Sequence, residues 1–582
     1  MKVLLTAINA KYIHSNLAVY SLKANCGVYE PQVKLMEYSI NQYPEEIFQS
    51  LYREKADVVC FSCYIWNIGF VEQIAGWLKQ VAPRTEIWLG GPEVSFDVAE
   101  RLEQRPFIDG VMFGEGEDTF REMMACWNGD MDVEKVLGIG HRHKDGGSSG
   151  EIHVHGARDF VDMSGLNFVY TRPEDFKNKI IYYETSRGCP FQCSYCLSSV
   201  EKKVRFRDLD LVKRELQQFI DWEIPQVKFV DRTFNCRREH SMEILKFIKT
   251  HDRGKTNFHF EITADLLTEE ELEFMAGLRP GLIQLEIGVQ STNPQTIREI
   301  RRNVSFEKLK GIVQRIHEGK NIHQHLDLIA GLPYEDLERF KQSFNDVYGL
   351  KPEQFQLGFL KVLKGSYMRE KAEDYGLVYQ PEPPYEVMAT RWLSYDDILV
   401  LKGVEEMVEV YYNSRQFENS LDWLEGHFPS AFAMYEQMAQ YYETKGLDGI
   451  SHSRMARYEI LLEFVKENLN IEETDIFVQI LTYDLYLREN VKSRPAWASG
   501  QDAYKAAYVE FFKREENRAR YFSGYEGYTT KQIQRMTHIE HFTRDIREGA
   551  GGEKDGGVFI WFDYLNRDPL TYKSRTVEVE LW

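Results

Sequence analysis

The sequence predicts an α/β protein in three parts: an open parallel sheet with helices on both faces, a partial barrel of parallel strands, and a mainly helical region. Short apolar strands alternate with amphipathic helices over residues 1–140 and again over 179–375, and long aromatic-rich helical stretches follow from residue 376. The chain has 582 residues and is 43% hydrophobic, which is enough for several packed cores.

The first part, residues 1–140, contains the strand-like segments "KVLLTAI", "QVKLMEY", "DVVCFSCYI", "TEIWLGG" and "DGVMFGEGE". This pattern is typical of a doubly wound, Rossmann-like sheet, in which ligands bind at the carboxyl ends of the strands. Glycine-containing loops follow two of these strands, with Gly90 and Gly91 in one and Gly114, Glu115 and Gly116 in the other. Such loops let a flat or phosphate-bearing ligand approach the backbone, although glycine turns also occur without a ligand.

Residues 141–178 predict a hairpin and a linker. The segment "GIGHRHKDGGSSGEIHVHG" has a turn-forming "DGGSSG" at its centre. His141, His143, His153 and His155 fall at alternating positions and would share one face. A metal site is one interpretation of this face, but we favour a solvated one because no acidic or thiol residue completes a ligand set.

The second series, residues 179–375, contains six strand-then-helix units, from "KIIYYETS" to "QFQLGFLKVL". Six such units predict a partial, TIM-like (β/α)6 barrel, and active sites of barrels form where the strands end. The region 376–582 is mostly helical and ends in a strand pair, "GGVFIWFDYL" and "RTVEVEL". We expect it either to cover the barrel mouth and shape a substrate pocket or to be purely structural.

Three of the eight cysteines, Cys189, Cys193 and Cys196, lie directly after the first barrel strand, in "SRGCPFQCSYCLSS". Thiolates at this spacing can bind three irons of a 4Fe-4S cluster and leave the fourth iron open. A structural zinc site would need a fourth ligand, for which Cys236 is the nearest thiol in sequence. Cysteine is too sparse for a disulfide scaffold, which suits a reducing compartment.

The net charge of −20 disfavours a nucleic-acid partner. One basic run near the cysteines, "VEKKVRFR", is either a solvated loop or a segment that holds an anionic ligand. No stretch of about twenty apolar residues occurs, and the start has no cleavage-type site, so we expect a cytoplasmic protein that does not engage a membrane.

The segment "CPFQCSYC", with Tyr195 before the last cysteine, resembles the signature of the radical S-adenosylmethionine (radical SAM) enzymes. The resemblance implies that Cys189, Cys193 and Cys196 are catalytic metal ligands that hold a 4Fe-4S cluster. S-adenosylmethionine would chelate the open iron, and one-electron reduction would cleave it to a 5′-deoxyadenosyl radical. The resemblance also implies a reducing partner, such as a flavodoxin or ferredoxin.

Later segments, "LEIGVQS", "REIRRN" and "LDLIAGLP", resemble the subgroup that contains the oxygen-independent coproporphyrinogen oxidases. That resemblance implies that the S-adenosylmethionine site includes Tyr195, Asp231, Glu261, Glu286, Gln290, Arg302 and Asp327. A carboxylate can accept hydrogen bonds from ribose, and an arginine can pair with the methionine carboxylate. Asp231 departs from the glycine–glycine–glutamate form of many relatives, and a polar barrel interior is the alternative for each residue.

The first part of the chain resembles the cobalamin-binding domain of the cobalamin-dependent radical enzymes. This implies that cobalamin binds at Gly90, Gly91, Gly114, Glu115 and Gly116. The chain has no Asp-x-His-x-x-Gly run, and we interpret His14 as a packing or hydrogen-bonding residue rather than a cobalt ligand. A residue of "SCYIWN", or water, is a candidate for the lower cobalt ligand. The helical third part resembles a domain of unassigned function.

The activity that these resemblances imply is a cobalamin-dependent methyl transfer to an unactivated carbon or phosphorus centre of a small molecule or peptide. A non-methylating rearrangement or ring contraction is the alternative within this class. A cobalamin or redox sensor is the alternative from another class, and the set of candidate contacts to S-adenosylmethionine argues against it. The sequence does not identify the substrate.

Overall fold

The computed structural model describes residues 1–143, 150–548 and 553–582, so most of the predicted turn "DGGSSG" lies outside the described residues. The first sheet has seven strands in the order β2-β1-β3-β4-β5-β6-β7. Its strands are β1 (Val3–Asn9), β2 (Val33–Ser39), β3 (Val58–Ser62), β4 (Glu86–Gly90), β5 (Gly110–Met112), β6 (Ile139–Arg142) and β7 (Ile152–Val154). The helices around it are α1 (Leu17–Asn25), α2 (Pro44–Arg53), α3 (Ile68–Val81), α4 (Val98–Gln104) and α5 (Glu117–Asn128).

Strands β1 to β5 are parallel, as predicted. Every residue of β1 and of β3 is buried, because helices cover both faces of the sheet. The hairpin β6–β7 continues this sheet in antiparallel orientation, with His141 opposite Gly110 on one side and His153 on the other. The hairpin therefore extends the first sheet rather than standing apart from it.

The second sheet has six parallel strands in the order β15-β14-β13-β12-β11-β8 and is an open, partial barrel. The strands of this region are β8 (Ile181–Tyr183), β9 (Ser186–Arg187), β10 (Arg205–Phe206), β11 (Gln226–Phe229), β12 (Asn257–Ile262), β13 (Ile283–Gln290), β14 (His323–Ala330) and β15 (Gln354–Phe359). Its helices are α6 (Leu209–Asp221), α7 (Arg238–His251), α8 (Glu269–Ala276), α9 (Pro294–Glu299), α10 (Phe306–Glu318) and α11 (Leu337–Tyr348). The short strands β9 and β10 pair with each other and frame the cysteine segment.

The third part is mainly helical. The short helix α12 (Tyr367–Glu370) precedes it, at the end of the barrel region. The helices of the third part are α13 (Tyr395–Met407), α14 (Glu418–Glu425), α15 (Ala431–Lys445), α16 (Arg454–Asn468), α17 (Ile471–Arg488), α18 (Lys505–Phe511), α19 (Glu515–Tyr521) and α20 (Thr530–Met536). Its strands are β16 (Val378–Tyr379), β17 (Val387–Ala389), β18 (Thr537–Arg544), β19 (Glu553–Arg567) and β20 (Ser574–Glu578). The predicted terminal strand pair is thus part of a three-stranded antiparallel sheet, in which β19 is the central strand.

Aromatic packing joins the third part to the barrel. Phe344 of α11 contacts Phe432 and Tyr435 of α15, with ring centroids 5.3 and 5.9 Å apart. Residues of α13 and α15 belong to the same buried core as the barrel strands. The helices therefore pack on the outside of the barrel. Across the described ranges, no helix is long and apolar enough to span a membrane.

Candidate active site

A cavity of about 1310 Å³ lies between the first domain and the barrel. The loops that follow β1, β3, β4 and β5 line one side of it, and the cysteine loop with β8, β11 and β12 lines the other. The carboxyl-terminal ends of strands from both parallel sheets, which on the barrel side are β8, β11 and β12, thus face one space, and such strand ends are where ligands bind. All of its lining residues fall within residues 5–261, so no residue of the third part lines this cavity, and the role of the third part stays a prediction.

Hydrogen bonds and an ion pair fix the two domains against each other beside the cavity. Ser15 donates to the carbonyl of Ile180 at 2.9 Å, and the Lys179 ammonium lies 2.7 Å from a Glu37 oxygen. His14 Nδ1 lies 2.7 Å from the Tyr182 hydroxyl. His14 is therefore a hydrogen-bonding residue of the interface, as expected from the sequence.

The cysteine loop places its three thiols at different depths, beside the barrel strand ends. Cys189 is buried, while Cys193 and Cys196 are half-buried. The three thiols do not all lie within 4.8 Å of one another. Three thiolates at this spacing in sequence can bind three irons of a 4Fe-4S cluster, and their role as cluster ligands stays a prediction.

The strand end before the cysteines is held by Asp231, which is fully buried. One carboxylate oxygen accepts from the backbone N–H of Thr185 at 2.7 Å and of Ser186 at 3.1 Å, and the other accepts from the Thr185 hydroxyl. Burial raises the pKa of Asp231 to about 6. These bonds give Asp231 a structural role in the cluster loop, and its contact with S-adenosylmethionine stays a prediction.

Two of the predicted cofactor residues contact each other beside the cluster loop. Arg302 donates to the Tyr195 hydroxyl at 3.1 Å and to the carbonyl of Gly288 at 2.9 Å. Burial raises the pKa of the Cys193 thiol, and the nearby Arg302 charge opposes that rise. Arg302 thus places positive charge where thiolates must be stabilised.

Gln290 ends β13 with an unsatisfied amide. Its backbone has a φ of 71°, at a register shift between Gly288 and Gln290. Its Oε1 atom is buried and has no hydrogen-bond partner. A buried acceptor without a donor costs free energy, so this atom is available to a donor from a bound ligand.

A layer of charged side chains crosses the barrel interior. The Lys228 ammonium and His259 Nε2 lie 2.9 and 3.1 Å from one oxygen of Glu286. Burial opposes ionisation of Glu286, but these two partners outweigh it and hold its pKa below the usual range. Asp327 is half-buried and its Oδ1 lies 3.0 Å from His325 Nε2. Desolvation raises the pKa of this carboxyl, and His325 opposes the rise.

Glu261 belongs to the same layer and also lines the cavity. Burial, reinforced by the charge of Glu286, raises the pKa of Glu261 to about 7. A carboxyl with this pKa changes its protonation state near neutral pH, which is the range in which it can hold or release a proton.

The glycine loops of the first domain come close to other backbone. A Cβ on Gly91, whose φ is 118°, would lie 2.5 Å from the carbonyl oxygen of Cys63. Gly114 also has a positive φ, of 77°, and a Cβ on Gly116 would lie 2.9 Å from Leu22. Gly90 and Gly91, like residues 114–116, line the cavity, as their predicted role requires. Their contact with cobalamin stays a prediction.

Glu115 is held by charges from the barrel side of the cavity. Its carboxylate lies 2.5 Å from the Arg205 guanidinium and 3.2 Å from that of Arg187, and these charges keep its pKa low against the effect of burial. The glutamate predicted to contact cobalamin therefore also joins the two domains.

The sequence analysis missed Arg187, which directly precedes Gly188 and Cys189. Besides Glu115, it pairs with Glu117 at 3.0 Å and with Glu184 at 2.8 Å. Only its position next to the cysteine motif could have indicated this residue from the sequence.

Arg205 and Arg207 of the basic run also form internal ion pairs, and Arg207 pairs with Glu215 at 2.5 Å. Neither a solvated loop nor an anion site therefore describes these two arginines.

Aromatic rings complete the first-domain side of the cavity. Tyr64 and Trp66, in the loop "SCYIWN", stack with ring centroids 4.3 Å apart and an interplanar angle of 9°. The pair presents a flat apolar surface beside the glycine loops. A cavity of this size, with glycine, aromatic and charged walls, fits a cofactor larger than a drug-sized ligand.

Three family models match consecutive parts of the chain. The B12 binding domain matches residues 3–124, the radical SAM superfamily matches 183–347, and a protein family of unknown function, DUF4080, matches 373–560. These matches show that the chain contains a B12-binding domain and a radical SAM domain, followed by a DUF4080 domain. The cofactors of the first two domains are cobalamin, a 4Fe-4S cluster and S-adenosylmethionine.

Curated relatives are similar to this chain over part of their length. The 2-(S-pantetheinyl)-carbapenam-3-carboxylate methyltransferase of Streptantibioticus cattleyicolor is 24% identical over 66% of this chain and 61% of its own. The cobalamin-dependent radical SAM methyltransferase TokK of Streptomyces tokunonensis is 26% identical over 56% of this chain and 50% of its own. The chain thus spans less than two thirds of either relative.

Solved structures share the fold. The radical S-adenosylmethionine methyltransferase TsrM of Kitasatospora setae has a TM-score of 0.53 at 15% identity, over 65% of this chain and 77% of its own. The cobalamin-dependent radical enzyme OxsB, with aqua-cobalamin and S-adenosylmethionine bound, has a TM-score of 0.55 at 14% identity, over 83% and 78%. These likenesses show the fold alone.

Proposed function

We propose that the protein is a cobalamin-dependent radical SAM methyltransferase that methylates an unactivated carbon or phosphorus centre of a small molecule or peptide. The observation that carries the proposal is the single cavity into which the carboxyl ends of both sheets open. A methyl carrier on one wall and a radical source on the other can then act on one substrate between them.

The residues present fit both cofactors. Cys189, Cys193 and Cys196 would hold the cluster, and Gln290, Arg302 and Asp327 would hold S-adenosylmethionine. The loops at Gly90–Gly91 and Gly114–Gly116 would hold cobalamin. When bound, the cluster and S-adenosylmethionine supply a hydrogen-abstracting radical, and cobalamin supplies a methyl carrier.

The protein itself supplies alignment of the two walls. Arg187 leaves the cluster loop and reaches Glu115 and Glu117, which belong to the loop and helix start on the cobalamin side. Arg205 repeats this connection through Glu115. Buried, multiply paired arginines hold a fixed geometry, because breaking one pair leaves another charge unpaired. The spacing between the walls is therefore set before any ligand binds.

The protein also supplies a proton-handling group at the cavity floor. Glu261 has a pKa of about 7. We propose that its carboxylate form accepts hydrogen bonds from the ribose of S-adenosylmethionine. The Lys228–Glu286 pair next to it keeps the negative charge of Glu286 compensated, so that the charge of Glu261 can change without leaving two adjacent anions unpaired.

The test is a product analysis with a labelled methyl donor. Reconstituted protein is incubated anaerobically with S-adenosylmethionine carrying a deuterated methyl group, a reductant and a small-molecule and peptide extract. We expect the label in a product, together with S-adenosylhomocysteine and 5′-deoxyadenosine. Formation of 5′-deoxyadenosine with an unlabelled product would contradict methyl transfer and favour a rearrangement. Failure to cleave S-adenosylmethionine at all would favour a sensor.

A further inference from the structure

The four histidines of the β6–β7 hairpin do not form the solvated face expected from the sequence, because they converge on one carboxylate. Glu134 reaches them from the helical turn Val133–Lys135, which precedes β6. Its Oε1 lies 3.7 Å from His141 Nε2, 3.8 Å from His153 Nδ1 and 4.0 Å from His143 Nδ1, and its Oε2 lies 3.6 Å from His155 Nε2. An acidic residue therefore completes the ligand set that the hairpin lacks by itself.

We propose that Glu134, His141, His153 and His155 form a structural Zn²⁺ site at the edge of the first sheet. The ligand atoms of Glu134, His141 and His153 lie within 4.8 Å of one another. His155 lies outside this group, but its Nε2 is 3.6 Å from the second oxygen of the same glutamate, and it would become the fourth ligand when the site closes on an ion. This site goes beyond the proposed function, since none of its residues belongs to the cluster or cobalamin loops.

The hydrogen-bonding state of His155 supports a cation. His155 Nδ1 lies 2.6 Å from the carbonyl oxygen of Val136. A carbonyl cannot donate, so Nδ1 carries a proton, and in the neutral ring Nε2 then presents a lone pair. That lone pair faces a carboxylate oxygen, which is also an acceptor, and Nε2 is buried without a hydrogen-bond partner. A histidine that donates one ring nitrogen to a backbone carbonyl and directs the other at an ion is the usual arrangement of a metal ligand.

His141 gives the same indication independently. Its side chain is only 6% exposed, and its Nε2 has no hydrogen-bond partner although it points at Glu134. A buried imidazole nitrogen left unpaired is costly, and a cation would satisfy it.

The distances also fit a metal better than ion pairs. Separations of 3.6–3.8 Å between Glu134 and three ring nitrogens are too long for hydrogen bonds. Four ligands at about 2.0–2.1 Å from one tetrahedral ion lie about 3.3–3.4 Å apart. Glu134, His141 and His153 would reach this spacing by an inward movement, and His155 would have to move further. Three imidazoles and one carboxylate suit Zn²⁺, whereas Mg²⁺ and Ca²⁺ prefer oxygen ligands.

The proposed ion would stabilise one wall of the cavity. It would connect the turn after α5, the strand β6 and the chain leaving β7 at His155. That chain continues directly into Arg158 and Phe160, which line the cavity. Arg158 also donates to the Thr119 hydroxyl of α5 at 3.1 Å. The cation would thus hold the start of the linker against α5, and we infer a structural role because four protein ligands leave no open position.

The first test uses full-length, tag-free protein with its cluster reconstituted, incubated with ZnSO₄ and desalted. We expect about one zinc per chain in addition to the cluster iron, with an X-ray absorption spectrum that shows nitrogen and oxygen ligands at about 2.0 Å. Absence of zinc would overturn the proposal. Sulfur ligands at about 2.3 Å would also overturn it, because they would place the zinc on the cysteines.

Two variants locate the ion. Glu134→Gln and His141→Gln are each expected to lower the zinc affinity at least tenfold, measured by competition with a chromophoric chelator. His251→Gln, on an exposed histidine at the end of α7, is the matched control and should bind zinc as the unchanged protein does. Unchanged affinity in Glu134→Gln would contradict the site.

Thermal unfolding provides a second measurement in case His141→Gln does not fold. Zinc should raise the Tm of the unchanged protein, because an ion that binds the folded state stabilises it. The Tm of Glu134→Gln, whose side chain is 46% exposed and tolerates neutralisation, should not respond to zinc. An equal rise in both proteins would overturn the assignment.

Discussion

The two parallel sheets direct their carboxyl-terminal ends at one cavity, yet these ends are built differently. The first domain contributes glycine loops and the stacked Tyr64–Trp66 pair. The barrel contributes the segments that flank the cysteines and partly buried charges, among them Lys228 and Glu261. A glycine loop contacts a ligand through its backbone, so a side chain added at a glycine disrupts binding. A layer of charged side chains acts through ion pairs and protonation, so neutralising one of its charges disrupts it. A substitution in one wall should therefore weaken binding of the cofactor at that wall and leave the cofactor at the other wall bound.

The largest effect is expected from replacing Cys189, Cys193 and Cys196 together by alanine. Without thiolates no cluster assembles, so iron should fall from about four per chain to a background level and cleavage of S-adenosylmethionine should be abolished. Cobalt content after reconstitution with cobalamin should persist, because the glycine loops are untouched. Metal analysis of the same samples checks both statements, and loss of cobalt together with iron would contradict separate walls.

The converse change is Gly91→Ala. The added Cβ would lie 2.5 Å from the Cys63 carbonyl and displace the loop, so we expect at least a tenfold loss of bound cobalamin with cluster iron retained. Gly254→Ala is the control, since Gly254 has a φ of 75°, lies outside the cavity, and has no atom within 4 Å of the place that an added Cβ would take. Equal cobalt losses in the two variants would show that backbone strain alone is responsible.

Arg187→Gln tests the connection between the walls. It leaves Glu115, Glu117 and Glu184 without a shared partner, so we expect a loss of about 3–5 kcal/mol in the free energy of unfolding. Chemical denaturation measures this loss. The control Arg172→Gln breaks an exposed pair with Asp175 and should cost at most about 1 kcal/mol. Similar values for the two variants would remove Arg187 from its proposed role.

The smallest effect is expected from Glu261→Gln, which concerns pH. The pKa of Glu261 is raised to about 7, so its carboxylate form, the acceptor, is lost below that pH and complete above it. Affinity for S-adenosylmethionine should rise as the pH increases through about 7 and then level off. The variant should bind more weakly at pH 8 and show no such rise. Anaerobic calorimetry between pH 6 and pH 8 measures both, and an unchanged profile in the variant would exclude Glu261 as the titrating contact.

Much of the fold could be predicted because apolar strand segments alternate with amphipathic helical segments along the chain. Strands buried on both faces, such as β1 and β3, are recognisable as nearly continuous apolar runs. The place of the β6–β7 hairpin could not, since its pairing with β5 depends on a contact distant in sequence. Glu134 could not be predicted for the same reason, because it lies outside the hairpin, in the turn before β6, and meets the histidines only in the folded structure.

The candidate site divides in the same way. The three cysteines could be predicted from the sequence, because ligands that lie in one short segment can be identified without knowing the fold. Arg187, Arg205 and Arg207 were not, because a surface loop and a buried ion-pair network have the same composition until their acidic partners, such as Glu115 and Glu215, are located in space. Lys228 could have been suspected from the sequence, because it is a lysine between the buried residues Val227 and Phe229 of a barrel strand.

The most direct test of the central claim, that one cavity holds both cofactors, is electron paramagnetic resonance of the fully reconstituted protein. With cobalamin in its paramagnetic Co(II) form, reduction of the cluster should broaden the cobalt signal and speed its relaxation, because the two spins share one cavity. The triple cysteine variant should not show this change. A cobalt spectrum in the unchanged protein that does not respond to cluster reduction would contradict the claim.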